Sequence, residues 1–152
     1  MTLGNAGLVP AFFVRVGDPY NGDMHELTPS NTLAFLRRFR LKGGVIRRLT
    51  LRNTGPDAVS AKLLLTVTDG STGDKVKLAI AVNDVEEYRF QKRPAAGAFA
   101  VREVRLATFD GVTFLDLDAD AQEAAPKPMD FRISDCFIAG RRLAWEVIGP
   151  KN

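Results

Sequence analysis

The residue types that most often do chemistry are sparse in this chain. His25 is the only histidine, in the stretch Asn21-Gly22-Asp23-Met24-His25-Glu26, and Cys136 is the only cysteine. A cysteine nucleophile needs a base to take its proton, and distance in sequence does not forbid that contact. No local signature joins the two, however, and a lone cysteine in an apolar strand behaves as a small inert hydrophobe. Asp116, Asp118 and Asp120 stand two residues apart, the way oxygen ligands recur in a calcium loop. There the pattern stops: Ala121 occupies the position that needs glycine, and Lys127 replaces the bidentate glutamate at the twelfth position. The expectation is a solvated acidic stretch, with Asp116, Asp118, Asp120 and Glu123 facing water and no metal bound. Neither glycine-rich phosphate cradle is present, G-x-x-x-x-G-K-[ST] or G-x-G-x-x-G. A sugar-cleaving site would want an aromatic cleft, and the chain has one Trp and two Tyr. No catalysis and no cofactor are expected.

Charge is more informative. The net charge is only +3, but it is unevenly distributed. Between Thr28 and Pro56 every ionised group is basic: Arg37, Arg38, Arg40, Lys42, Arg47, Arg48 and Arg52. Between Leu106 and Phe131 the acids Asp110, Asp116, Asp118, Asp120, Glu123 and Asp130 face Lys127 alone. A basic segment could hold phosphates. It could equally pair with the acidic segment of a second copy and guide assembly into rings or lattices.

The elements that must position these groups read as β. Val59, Ala61, Leu63, Leu65 and Val67 recur with a period of two, and Leu49 and Leu51 give the preceding strand a matching face. Asn53-Thr54-Gly55-Pro56-Asp57 supplies the turn between them. Leu33–Lys42 fits a helix capped by Ser30 or Thr32. It fits a strand better, with Gly43-Gly44 then a hairpin turn. Further alternation marks Val76–Val82, Tyr88–Phe90 and Val112–Phe114, with Asp110-Gly111 as a hairpin turn. The apolar face shifts near Arg102-Glu103, as a bulge would shift it. Met129–Phe137 and Leu143–Val147 read as the last strands.

Eight or nine short strands separated by turns predict an all-β fold, an antiparallel β-sandwich. Residues 1–32 read as an irregular N-terminal arm with one short strand at Ala11–Val16, and residues 33–152 as a single β-sandwich domain. At 152 residues a core needs no staples, and a single cysteine excludes an internal disulfide. No basic residue precedes Arg15, so no secretory leader is read. No apolar run approaches the ~20 residues of a membrane span, so a cytoplasmic product is expected.

The segment FRLKGGVIRRLTLRNTGPDAVSAKLLLTV resembles the early strands of immunoglobulin-like sandwich domains: strand, glycine turn, strand ending in Asn-Thr-Gly, long alternating strand. The Cys–Trp–Cys signature of antibody-type domains is absent, and jelly rolls share the pattern. The resemblance implies a fold class and carries no functional residues. Two functions are therefore expected by elimination. The first is a non-enzymatic structural protein, a homo-oligomer or part of a larger assembly. A small virion component such as a bacteriophage capsid decoration, neck or tail subunit would fit. The second is a module that binds nucleic acid or another polyanion through the basic Arg37–Arg52 face.

Overall fold

A computed structural model describes residues 24–91, 99–119 and 126–148. The expected N-terminal arm before Met24, with its strand at Ala11–Val16, lies outside the described residues, as do Asp120 and Glu123. Seven strands and two short helices follow in the order β1 (His25–Leu27), α1 (Thr32–Arg38), β2 (Phe39–Gly55), β3 (Ala58–Asp69), β4 (Lys75–Phe90), β5 (Glu103–Phe109), β6 (Val112–Ala119), α2 (Pro128–Arg132) and β7 (Cys136–Ile148).

The all-β class is as expected. The strands form one curled antiparallel sheet in the order β2-β3-β4-β7-β6-β5, and no second sheet forms among the described residues. β5, β6 and β7 are consecutive neighbours, and β4 lies against β7, which is Greek-key connectivity. The two ends of the sheet meet. Gly43 N–H donates to Val101 O, Val101 N–H to Gly44 O and Ile46 N–H to Phe99 O, so the chain entering β5 pairs with the middle of β2. β1 pairs with β7 at Trp145, Ala144 and Leu143, farther along the edge that β6 occupies at Phe137–Gly140.

β3 shows why this sequence curls. Its burial alternates along its length, and Leu63, Leu65 and Val67 are sealed inside. They meet Leu78, Ile80 and Val82 of β4, Leu115 and Leu117 of β6, and Ile138 and Leu143 of β7. Each such side chain contributes ~1.5–3 kcal/mol relative to exposure. A smaller apolar cluster forms on the outside of β6 and β7, where Phe114, Phe137 and Ala139 are covered by Phe131 of α2.

Three expectations are corrected. Leu33–Lys42 is not one strand: Thr32–Arg38 is helical and the strand begins at Phe39. The helix buries Phe35 against Phe39 and Trp145 at one end of the sheet, packing that a two-residue period could not provide. Gly43-Gly44 is not a hairpin turn. It is a bulge inside the single long strand β2, where Arg40 faces Thr68 but Val45 faces Thr66. Gly43 supplies a φ of +86°, and a Cβ on Gly44 would sit 2.7 Å from Thr66 O. Finally, Met129–Arg132 is helix, not strand, because Pro128 opens a turn that the Asp130 carboxylate caps by accepting the Lys127 N–H at 2.8 Å. The Asp110-Gly111 hairpin forms as expected, with both residues at positive φ. Among the described residues no helix is long and apolar enough to cross a membrane.

The bulge at Gly44 is where β2 receives the closing pairing from Val101. Gly44→Ala should therefore destabilise the protein by about 1–3 kcal/mol in chemical denaturation. A neutral result would mean that this approach is not required.

Candidate polyanion-binding face

The register fixes which cations share a surface. Leu63 and Leu65 point inward, so Lys62, Leu64, Thr66 and Thr68 point outward. Arg40 lies beside Thr68 and Lys75; Thr66 lies beside Lys77; Arg48 lies beside Leu64; Thr50 lies beside Lys62; Arg52 lies beside Ser60. Arg47 is the extra residue of a second bulge in β2, and its Nε donates to Thr66 Oγ1 at 2.9 Å, which lays the guanidinium over the same face. Arg40, Arg47, Arg48, Arg52, Lys62, Lys75 and Lys77 thus share the outer face of three adjacent strands. Strands are ~4.8 Å apart, so cations on β2 and β4 stand about 10 Å from one another.

Among the described residues, no carboxylate pairs with Arg40, Arg48, Arg52, Lys75 or Lys77. Lys62 stands near Glu146, the acid at the border of the face. Burial holds its ammonium below the ordinary value, and Glu146 pulls the other way. The face carries no aromatic residue.

Three of the expected basic residues are elsewhere. Arg37 is exposed on α1. Lys42 pairs with Glu103 at 2.5 Å. Arg38 pairs with buried Asp69 at 3.2 Å and covers the rings of Phe39 and Trp145. The alternation of Lys75 and Lys77 with Val76 and Leu78 was visible in the sequence. What joins these lysines to the arginines is the β3–β4 register, which sequence alone does not give.

The acidic surface patch is corrected at Asp116 and Asp118. Both lie on β6 and are buried, Asp116 completely. Their side chains point outward from the sheet but lie beneath the chain around α2. Asp116 Oδ1 accepts from Ser134 Oγ at 2.7 Å and from the Asp118 N–H at 3.0 Å; Oδ2 accepts from Arg105 at 3.2 Å. Asp118 pairs with Arg102 at 3.2 Å. The register slips between Glu103 and Arg105, next to the bulge expected near Arg102-Glu103, but not by an extra residue on β5. The extra residue is on β6, and the Asp116 carboxylate holds the amide that it frees. Asp-x-Asp here is the anchor of a bulge. Among the described residues no three His, Cys, Asp or Glu side chains are grouped to hold a metal.

His25 and Cys136 form no dyad. His25 is exposed, stacks on Trp145 with ring centres 4.5 Å apart and pairs with that residue in register. Trp145 and Cys136 lie near opposite ends of β7, roughly 30 Å apart along the strand. Burial, reinforced by Asp118, Asp116 and Asp135, pushes the Cys136 thiol up to about 12, so it stays protonated at neutral pH. Compared with known proteins, the chain matches no family model, no curated protein and no solved structure.

Two measurements follow from the buried acids. Asp116→Ala leaves Arg105 without its carboxylate beneath α2, and should cost about 3–5 kcal/mol in denaturant unfolding. A loss below ~1 kcal/mol would show that water replaces the carboxylate. The Asp69 carboxyl is lowered to about 2 by the Ser71 hydroxyl, the Ser71 N–H and Arg38. A depressed carboxyl stabilises the fold fully above its ordinary value near 3.8, and that contribution is lost as pH falls through about 2. Wild type should therefore exceed Asp69→Asn in denaturation midpoint at neutral pH, with the gap closing between those two values. A gap that stays constant with pH would contradict the assignment.

Proposed function

We propose that this protein is a non-catalytic binding module whose β2–β3–β4 face engages the phosphate backbone of a nucleic acid. The observation that carries the reading is the concentration of seven cations on the outer face of three strands, most of them without a carboxylate partner. Charges arranged this way gain from releasing the counterions of a polyanion, a term that is independent of sequence and falls steeply with salt. The residues between the cations support the same reading. Thr50, Thr66, Thr68 and Ser60 offer hydroxyls suited to phosphate oxygens, and the cations of this face stand among no aromatic side chains that would stack unpaired bases. The expected virion assembly role is the weaker reading. It was reached by elimination, and of the opposed charged segments that favoured it, the acidic one has Asp116 and Asp118 engaged inside the fold.

Binding of a labelled duplex, followed by anisotropy between about 50 and 200 mM salt, tests the proposal. The affinity should fall linearly on a double-logarithmic plot. Arg48→Ala and Lys77→Ala should each lower the slope by about 0.9 and weaken all sequences alike, whereas Arg141→Ala, off the face, should leave the slope unchanged. Binding that ignores salt, or no binding at all, would remove this function.

A further inference from the structure

The face continues into a segment that extends beyond the curled sheet. β2 and β3 stay paired out to Gly55 and Ala58, but β3 leaves β4 after Ala61 pairs with Val82. β4 turns away just beyond, where Asp84 adopts a φ of 52°. Arg52–Gly55 and Ala58–Ser60 therefore pair only with each other among the described residues, closed by Pro56-Asp57. The result is a two-stranded ribbon standing beyond the curled sheet, with Arg52, Asn53 and Thr54 exposed.

We propose that this ribbon enters the major groove of duplex DNA while the cations at its root hold the flanking phosphates. The inference rests on the polyanion-binding reading of the face and adds the ligand's form and the mode of contact. Dimensions support it. From Leu51 to Gly55 the strand rises ~14 Å, and its two backbones lie ~4.8 Å apart. The major groove is ~12 Å wide and ~8.5 Å deep, and it admits a two-stranded ribbon.

Chemistry supports it as well. Arg52 continues the outward side of Arg48, Asn53 and Val59 take the other side with Leu51, and Thr54 is the extra residue of a bulge near the tip. Arginine matches guanine O6 and N7, asparagine matches adenine N6 and N7, and an apolar side chain fits the thymine methyl. Leu51, 39% exposed and otherwise an odd surface residue, then has a partner. Asp57 at the tip is the one acid on the ribbon and would accept from a cytosine amino group. Arg47 and Arg48, at the root, and Arg40, Lys75 and Lys77, farther down the face, would meet the sugar–phosphate wall.

Dimethyl sulfate footprinting on a mixed-sequence duplex tests this directly, because guanine N7 lies in the major groove and adenine N3 in the minor. Wild-type protein should protect N7 and leave N3 reactive. The double variant Arg52→Ala/Asn53→Ala changes only exposed side chains and should melt like wild type. It should lose the N7 protection, bind a preferred sequence roughly 5- to 100-fold more weakly, and lower the salt slope by no more than about 0.9, the share of one cation. Salt-dependent binding with N7 left reactive, protection of N3 instead, or equal affinity for single strands and heparin would overturn groove insertion while leaving the cationic face in place. Failure to bind any of these polyanions would overturn both.

Discussion

The backbone of β7 must lie hard against β4, and most of the molecule is arranged around that contact. At Gly140 an added Cβ would come 2.4 Å from a Val82 methyl and 2.9 Å from the Asn83 carbonyl. Only glycine allows the strands to approach there. β7 uses its whole length on β4, from Phe90 against Cys136 to Lys77 against Ile148, and gives its other edge to β6 and β1. That position makes it the one strand to which both halves of the sheet attach. The hairpins β2–β3–β4 and β5–β6 are local and could form from neighbouring residues. Their union depends on a strand that arrives last in the chain, which is a non-local pairing with the entropic cost of a long loop.

The division between local and non-local structure also decides what could be read in advance. The alternation of β3, the turn at Pro56-Asp57 and the Asp110-Gly111 hairpin are properties of adjacent residues, and the sequence shows them plainly. α1 is different. Leu33, Phe35, Phe39 and Leu41 satisfy a strand's period, and the helix wins because Phe35 then reaches Phe39 and Trp145, which lies over a hundred residues away. The candidate face was half legible for the same reason. Arg48 and Arg52 announce themselves as the outward side of one strand, and Arg40 as the outward side of the segment before the expected Gly43-Gly44 turn. Their grouping with Lys62, Lys75 and Lys77 requires the registers of two strand pairs, and a slip of one residue would send those lysines into the core.

Asp116 shows how a pattern of residue types misleads when burial is unknown. Three carboxylates spaced by two on a strand suggest a row of ligands or a solvated edge. The alternate face of β6 is instead roofed by α2, so Asp116 and Asp118 must be satisfied within the protein. Each bond to Asp116 does structural duty: Ser134 ties down the chain entering β7, the Asp118 amide is the one released by the bulge, and Arg105 also spans to the Asp130 carbonyl in α2. The signal that could have revealed this is Phe131, an aromatic residue flanked by polar ones that has to be buried somewhere.

A comparison of how the acids and bases are used leads from the fold to the face. Asp69, Glu103, Asp118, Asp116, Glu87, Glu86 and Glu26 are each engaged by a cation: Arg38, Lys42, Arg102, Arg105, Arg132, Arg141 and Arg142. None of these partners belongs to the β2–β3–β4 face. Among the described residues these carboxylates lie at the helices, on β5 and β6 and along β4 and β1, and Arg40, Arg48, Arg52, Lys75 and Lys77 are left without a carboxylate partner despite a net charge of only +3. Like charges within a Debye length of ~8 Å repel, so this arrangement costs stability that a few exchanged residues would recover. The proposal of an anion-binding face rests on this concentration of like charge.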